Sequence, residues 1–156
     1  ETATPEVENI ESSNLLSELN FSSEDDKGNV YTLKAKSGEI DFENNNIIFL
    51  KNIEAIIKLK NSEEILISSN FGKYNTENSD TIFSKNVLIL YLDYKVSSDY
   101  LEFSVDKNLF TISKDVSLSS LEYSIDADVV EMNINTRKVE IFMLEDLKKV
   151  KIKSIK

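Results

Sequence analysis

The 156-residue sequence contains no cysteine and no histidine. The first absence excludes disulfides, thiolate metal sites and thiol nucleophiles, and leaves the redox compartment open. The second removes the usual general base of nucleophilic triads and the commonest zinc ligand. There is one proline and there are only three glycines. Tight turns must therefore fall largely to Asn and Asp, which tolerate left-handed backbone. Cations are also short: 18 Lys and Arg face 28 Asp and Glu, for a net charge of −10. A nucleic-acid surface needs clustered cations to displace counterions, so no nucleic-acid partner is expected. No run approaches the ~18 apolar residues of a membrane span. No basic and apolar signal sequence precedes the domain. The chain begins Glu1-Thr2-Ala3 without Met, and any targeting segment or anchor is expected upstream.

What is present is repetition. Residues 35–57 align without a gap on residues 69–91, with identities at Gly38/Gly72, Glu43/Glu77, Asn44/Asn78, Ile48/Ile82, Phe49/Phe83, Lys51/Lys85 and Asn52/Asn86. Residues 68–90 then align on 97–119, and residues 99–112 on 128–141. About four copies of one unit make up most of the chain, and such units bury their apolar sides against one another.

Within the copies, segments such as VYTLKA, IFLKNIEAIIKL, VLILYLDYKVS and KVEIFM carry the β-branched and aromatic bias and the alternation of strands. Polar turns separate them at 24–29, 43–46, 77–80, 106–108 and 135–137. The fold expected is all-β, of stacked antiparallel strands. Three columns share one face by period-two spacing: Tyr31/Ile65/Tyr94/Tyr123, Leu33/Ile67/Val96/Ile125 and Ala35/Ser69/Ser98/Ala127. The third is uniformly small, which suits a tightly curved wall. After a turn expected near Gly38 and Gly72, Phe49/Phe83/Ile112 and Ile53/Val87/Val116 continue the apolar face. The organisation expected is a flexible lead over 1–20 with a short helix around Val7–Leu19, a β domain over 21–145, and a solvated basic tail over 146–156. That tail carries Lys148, Lys149, Lys151, Lys153 and Lys156.

Chemistry finds little purchase. The carboxylate pairs Asp25/Asp26, Glu63/Glu64 and Asp126/Asp128 lie beside turns or at strand ends, where solvated turns are the simpler reading than a glycosidase or calcium site. There is no glycine-rich phosphate loop, nucleophile elbow or metal-ligand spacing. No enzymatic activity, metal or cofactor is expected, and what remains is the apolar interior, as an ordinary core or as a slot for acyl chains.

The order of small residue, apolar strand, polar turn and apolar strand ending in Asn/Asp-Ile/Val resembles a known family. Residues 19–53, LNFSSEDDKGNVYTLKAKSGEIDFENNNIIFLKNI, resemble the start of the periplasmic domain of LptC, the inner-membrane component of the bacterial lipopolysaccharide transport bridge. The later copies at 68–87, 97–116 and 126–141 are similar to the OstA-like repeat shared by LptC, LptA and the periplasmic part of LptD. The sequence departs from that pattern at Leu101 and Val130, which stand in the column of Gly38 and Gly72.

The resemblance implies an open, twisted β-jellyroll in the periplasm, anchored through an upstream helix. It implies lipopolysaccharide as ligand, held by its acyl chains, and neighbours joined through sheet edges. An LptBFG-like transporter would meet the N-terminal edge. An LptA-like bridge protein would meet the C-terminal edge around Val139, Ile141 and Met143. The lining expected is Ile40, Phe42, Phe49, Ile53, Tyr74, Phe83, Val87, Ile89, Phe103, Val105, Ile112 and Val116. The competing reading is a structural or adhesive β-repeat module with a dry core.

Overall fold

The computed structural model describes residues 4–10, 14–61, 63–144 and 151–154. Its strands are β1 (Thr4–Ile10), β2 (Leu15–Glu24), β3 (Val30–Ile40), β4 (Ile47–Lys58), β5 (Glu64–Asn75), β6 (Thr81–Tyr91), β7 (Tyr94–Ser104), β8 (Leu109–Ser119), β9 (Tyr123–Asn133), β10 (Val139–Phe142) and β11 (Lys151–Ser154). They form one sheet, antiparallel at every pairing, in the order of the chain from β1 to β10. β11 joins the same edge as β10: β10 pairs Val129–Met132 of β9, and β11 pairs Tyr123–Asp126. The repeated segments fall on successive hairpins, and among the described residues no strand pairing closes the sheet into a barrel.

Two expectations about the ends are corrected. Strands β1 and β2 occupy the described part of 1–24, where a flexible lead with a short helix was expected. Within the basic tail, residues 151–154 form β11 against β9, while Lys148, Lys149 and Lys156 lie outside the described residues.

The turns follow from their side chains. Asp41, Asn75 and Asn133 occupy equivalent places in the repeats. Each accepts a hydrogen bond from the amide two residues on, at 3.1, 2.9 and 2.9 Å. A short polar side chain thereby closes the turn that glycine or proline would otherwise make.

The sheet does not lie flat, because alternate strands from β2 to β8 are interrupted near their middles. Glu18, Asn52, Lys85, Asn86, Lys114 and Asp115 all have positive φ, and together they trace a crease across β2, β4, β6 and β8. At β6 and β8 two left-handed residues make bulges, with register shifts between Ser84 and Val87 and between Ser113 and Val116. The opposing strands supply the small column. Ser69 and Ser98 turn their hydroxyls onto the carbonyls of Phe71 and Tyr100, at 2.8 and 3.1 Å, and so satisfy acceptors beside the bulges.

The crease divides the sheet into two halves that fold toward each other. The first carries the strand segments around Leu50, Phe83 and Val130; the second carries those around Leu33, Ile67 and Ile89. Contacts between strands far apart in the sheet order show the closure. Phe21 of β2 stacks on Tyr74 of β5 at 4.4 Å between centroids, and Tyr31 of β3 meets Phe103 of β7 at 5.5 Å.

Gly38 and Gly72 lie inside β3 and β5 rather than at turns, and close approach explains them. A Cβ on Gly38 would sit 2.6 Å from Leu19 Cδ1, and one on Gly72 would collide with Ile53 Cδ1. The equivalent pairs across the crease read Leu19/Gly38, Ile53/Gly72, Val87/Leu101 and Val116/Val130. A long side chain is matched by glycine and a shorter one by a larger partner, with Leu101 and Val130 both fully buried. Volume is conserved through the repeats although the glycine is not.

Candidate functional site

The interior between the halves is the site the fold offers. One inward row crosses the first half as Leu16, Gly38, Leu50, Gly72, Phe83, Leu101, Ile112, Val130 and Ile141, since residues opposite one another in antiparallel strands share a face. Facing it are Leu19, Phe21, Leu33, Ile53, Ile67, Val87 and Ile89, all buried.

Of the expected lining, Ile53, Tyr74, Phe83, Val87, Ile89, Phe103, Ile112 and Val116 are buried in this interior, while Ile40 and Val105 pack against it partly exposed. Phe42 and Phe49 do not belong there. Phe42 is 83% exposed in the β3–β4 turn, and Phe49, 45% exposed, points outward. With Leu15, Phe71, Ile82 and Tyr100 it lines a hollow of about 580 Å³ on the outer face. Residues the sequence reading passed over, including Phe21, Leu50, Leu101 and Phe110, are central to the interior.

The interior is filled at one end and open at the other. Between Phe21, Tyr31, Tyr74, Phe83 and Phe103 only about 30 Å³ remains, and Phe103 packs edge-on against Phe110 at 4.8 Å. Toward the C-terminal edge the same inward columns lose their cover, and Leu118, Ile125, Ala127 and Met132 are half-buried. Val139 lies opposite Met132 and shares its inward face, yet is 44% exposed. Phe21 of β2 packs on Tyr74 of β5 and Tyr31 of β3 on Phe103 of β7, so the start of the second half lies over the middle of the first, and among the described residues the later strands carry no opposing layer.

Opposite the crease, the lips of the fold are joined by polar contacts. At the first, the Tyr31 hydroxyl donates to Asp25 at 2.6 Å and lies 3.3 Å from Asn108 Oδ1 in the β7–β8 turn. Asn29 also donates to Asp25, and accepts from the amide of Lys60 at 3.0 Å. At the second, Arg137 of the β9–β10 turn forms an ion pair with Glu63 of the β4–β5 turn and donates to the Tyr91 hydroxyl at 2.8 Å. Tyr91 in turn donates to Glu63 at 2.8 Å.

These contacts shift ionisation. Burial pushes the Tyr31 phenol up, and the charge of Asp25 and the bond to it add to the rise. For Asp25, burial acts to raise the carboxyl's pKa, but the hydrogen bonds from Tyr31, Asn29 and the amides of Asn29 and Lys27 together outweigh it and hold it below the ordinary value. A carboxylate with a depressed folded pKa adds stability above its unfolded pKa and loses it as pH falls through the folded value. Asp25→Asn should therefore lower the melting temperature at pH 7. The gap from wild type should narrow as pH drops below about 4, which thermal melts across pH would check; a gap independent of pH would contradict the assignment.

The carboxylate pairs noted in the sequence do not converge. Asp25 and Glu63 serve the two lip contacts at separate turns, and among the described residues no group of three or more His, Cys, Asp or Glu side chains could hold a metal ion.

A continuous antiparallel sheet, built of repeated hairpins and folded over an apolar interior with both outer edges unpaired by any described strand, defines an edge-open folded-sheet protein. The family described as "Lipopolysaccharide-assembly, LptC-related" matches residues 2–144, and the chain belongs to that family. No curated protein matches the chain. The family acts in lipopolysaccharide transport with the other components of that system; it is a family of transport-bridge proteins and not of enzymes. It comprises the periplasmic domain of an inner-membrane-anchored protein. Among the described residues no helix is long and apolar enough to cross a membrane.

Proposed function

We propose that this domain is a carrier segment that holds the acyl chains of lipopolysaccharide between the halves of its folded sheet and passes them toward its C-terminal edge. The supporting observation is the gradient of exposure along one apolar surface, from a sealed interior at Phe21, Phe83 and Phe110 to inward residues left open at Met132 and Val139. Each methylene taken from water contributes about 0.8 kcal/mol, so such a surface binds chains strongly without directional chemistry. In this reading β10 receives a strand of an LptA-like bridge protein through Val139, Ile141 and the following Met143, and the β1 edge meets the LptBFG-like transporter. An unprotected edge strand favours such pairing.

Leu118 tests the mouth without disturbing the sealed interior. It faces inward on the row of Val96 and Ile125 and is half-buried, so arginine can be accommodated with its charge toward water. Leu118→Arg should keep the melting temperature within a few degrees and lower lipopolysaccharide retention roughly tenfold, the effect of a charge on an acyl path. Full retention by a folded variant would contradict an acyl path through this mouth, and no retention by wild type would argue for a dry β-repeat module.

A further inference from the structure

We propose that acyl chains load sideways through the lips opposite the crease, and that the contact of Arg137 with Glu63 and Tyr91 is the latch that governs this loading. The proposal rests on the carrier reading above. The two halves meet along the lips at unlike joints. At Asp25, Tyr31 and Asn108 the joint belongs to the packed interior: Asn29 and Asn108 are 5% and 7% exposed, and Tyr31 also packs on Phe103. The joint at Arg137 is exposed, with side-chain exposures of 42% for Arg137 and 27% for Glu63. Exposed ion pairs are weak and are screened by salt, so this end parts first.

Four further features fit a latch. Arg137 is the only arginine in the chain, and its planar guanidinium can hold a carboxylate and a phenol at once and lie against the ring; it stands 6.0 Å from the Tyr91 centroid. The joint spans from a turn of the first half to a turn and strand end of the second, so no part of the sheet ladder must break for it to release. The joint also borders the region where Leu118, Ile125 and Met132 are already half-open. The line of left-handed residues across β4, β6 and β8 supplies the fold about which the halves would part.

The test follows capture over time, with a photoreactive residue in place of Phe83 and purified lipopolysaccharide as probe. Arg137→Ala and Glu63→Ala should each capture roughly fivefold faster than wild type, the weight of one exposed ion pair. Raising salt from about 50 to about 500 mM should speed wild type and leave Arg137→Ala unmoved. Because the chain has no cysteine of its own, Glu63→Cys with Arg137→Cys can be bridged by a reducible bifunctional reagent. Bridging should cut capture at least roughly tenfold, with recovery on reduction. Wild-type rates in Arg137→Ala, or in the bridged pair, would overturn the latch and leave the carrier reading standing. No capture by wild type or any variant would overturn the carrier reading, and the latch with it.

Discussion

Phe110→Ala is expected to destabilise the domain by about 3–5 kcal/mol, with a fall in melting temperature of roughly 6–20 °C at this chain length. Phe110 is fully buried in β8 and meets Phe103 edge-on. Phe103 in turn reaches across the fold to Tyr31. The ring therefore props one half of the sheet against the other, and its loss leaves a void bounded by strands that the crease holds in place. Urea unfolding would measure the effect. A loss below about 1 kcal/mol would mean that the halves collapse freely onto the gap, and hence that the interior is much softer than its burial implies.

Gly72→Ala should cost about 1–3 kcal/mol, although a mid-strand glycine is ordinarily improved by alanine. The sign reverses because the added methyl would collide with Ile53 Cδ1 and stand 3.1 Å from the Ile82 carbonyl oxygen. The pairing of long residue with glycine across the crease gives a sharper form of this expectation. Ile53→Val removes the colliding carbon and reproduces the β-branched residue found at Val87 and Val116. The double variant Ile53→Val/Gly72→Ala should be more stable than the sum of its single changes, by roughly 1 kcal/mol or more. Strict additivity would show that the two positions do not share space.

Much of this architecture is legible in the residues. The strand boundaries follow the Asn and Asp turns, and the small column of Ala35, Ser69, Ser98 and Ala127 lies beside the bend it was expected to permit. The placement of Phe49 is where the pattern misleads. Phe49 aligns with Phe83, and both stand four residues before the inward Ile53 and Val87. β6 crosses the crease with two left-handed residues, Lys85 and Asn86, whereas β4 uses Asn52 alone. The single residue reverses the alternation, so Leu50 turns inward and Phe49 outward. A signal existed, since position 50 is leucine where its counterparts Ser84 and Ser113 are polar, and an apolar residue there competes for the interior.

The lip contacts were illegible for a different reason. Glu63, Tyr91 and Arg137 lie 28 to 74 residues apart, and each reads as an ordinary turn or strand-end residue. Only the offset closure of the halves brings them together. The expectation of a helix before Leu19 failed because the sparse apolar residues of that segment are used by strand pairing, with Leu16 and Leu19 inward on either side of Glu18.

If lipid occupies the space between the halves, two photoreactive positions on one strand will show it most directly. Phe83 faces the interior at 1% exposure, while Lys85 lies exposed at the crease. With purified lipopolysaccharide, crosslinks from position 83 and none from position 85 are expected. Crosslinks equally from both would contradict a site confined to the interior, and crosslinks from neither would leave a β-repeat protein whose apolar surfaces serve only its own packing.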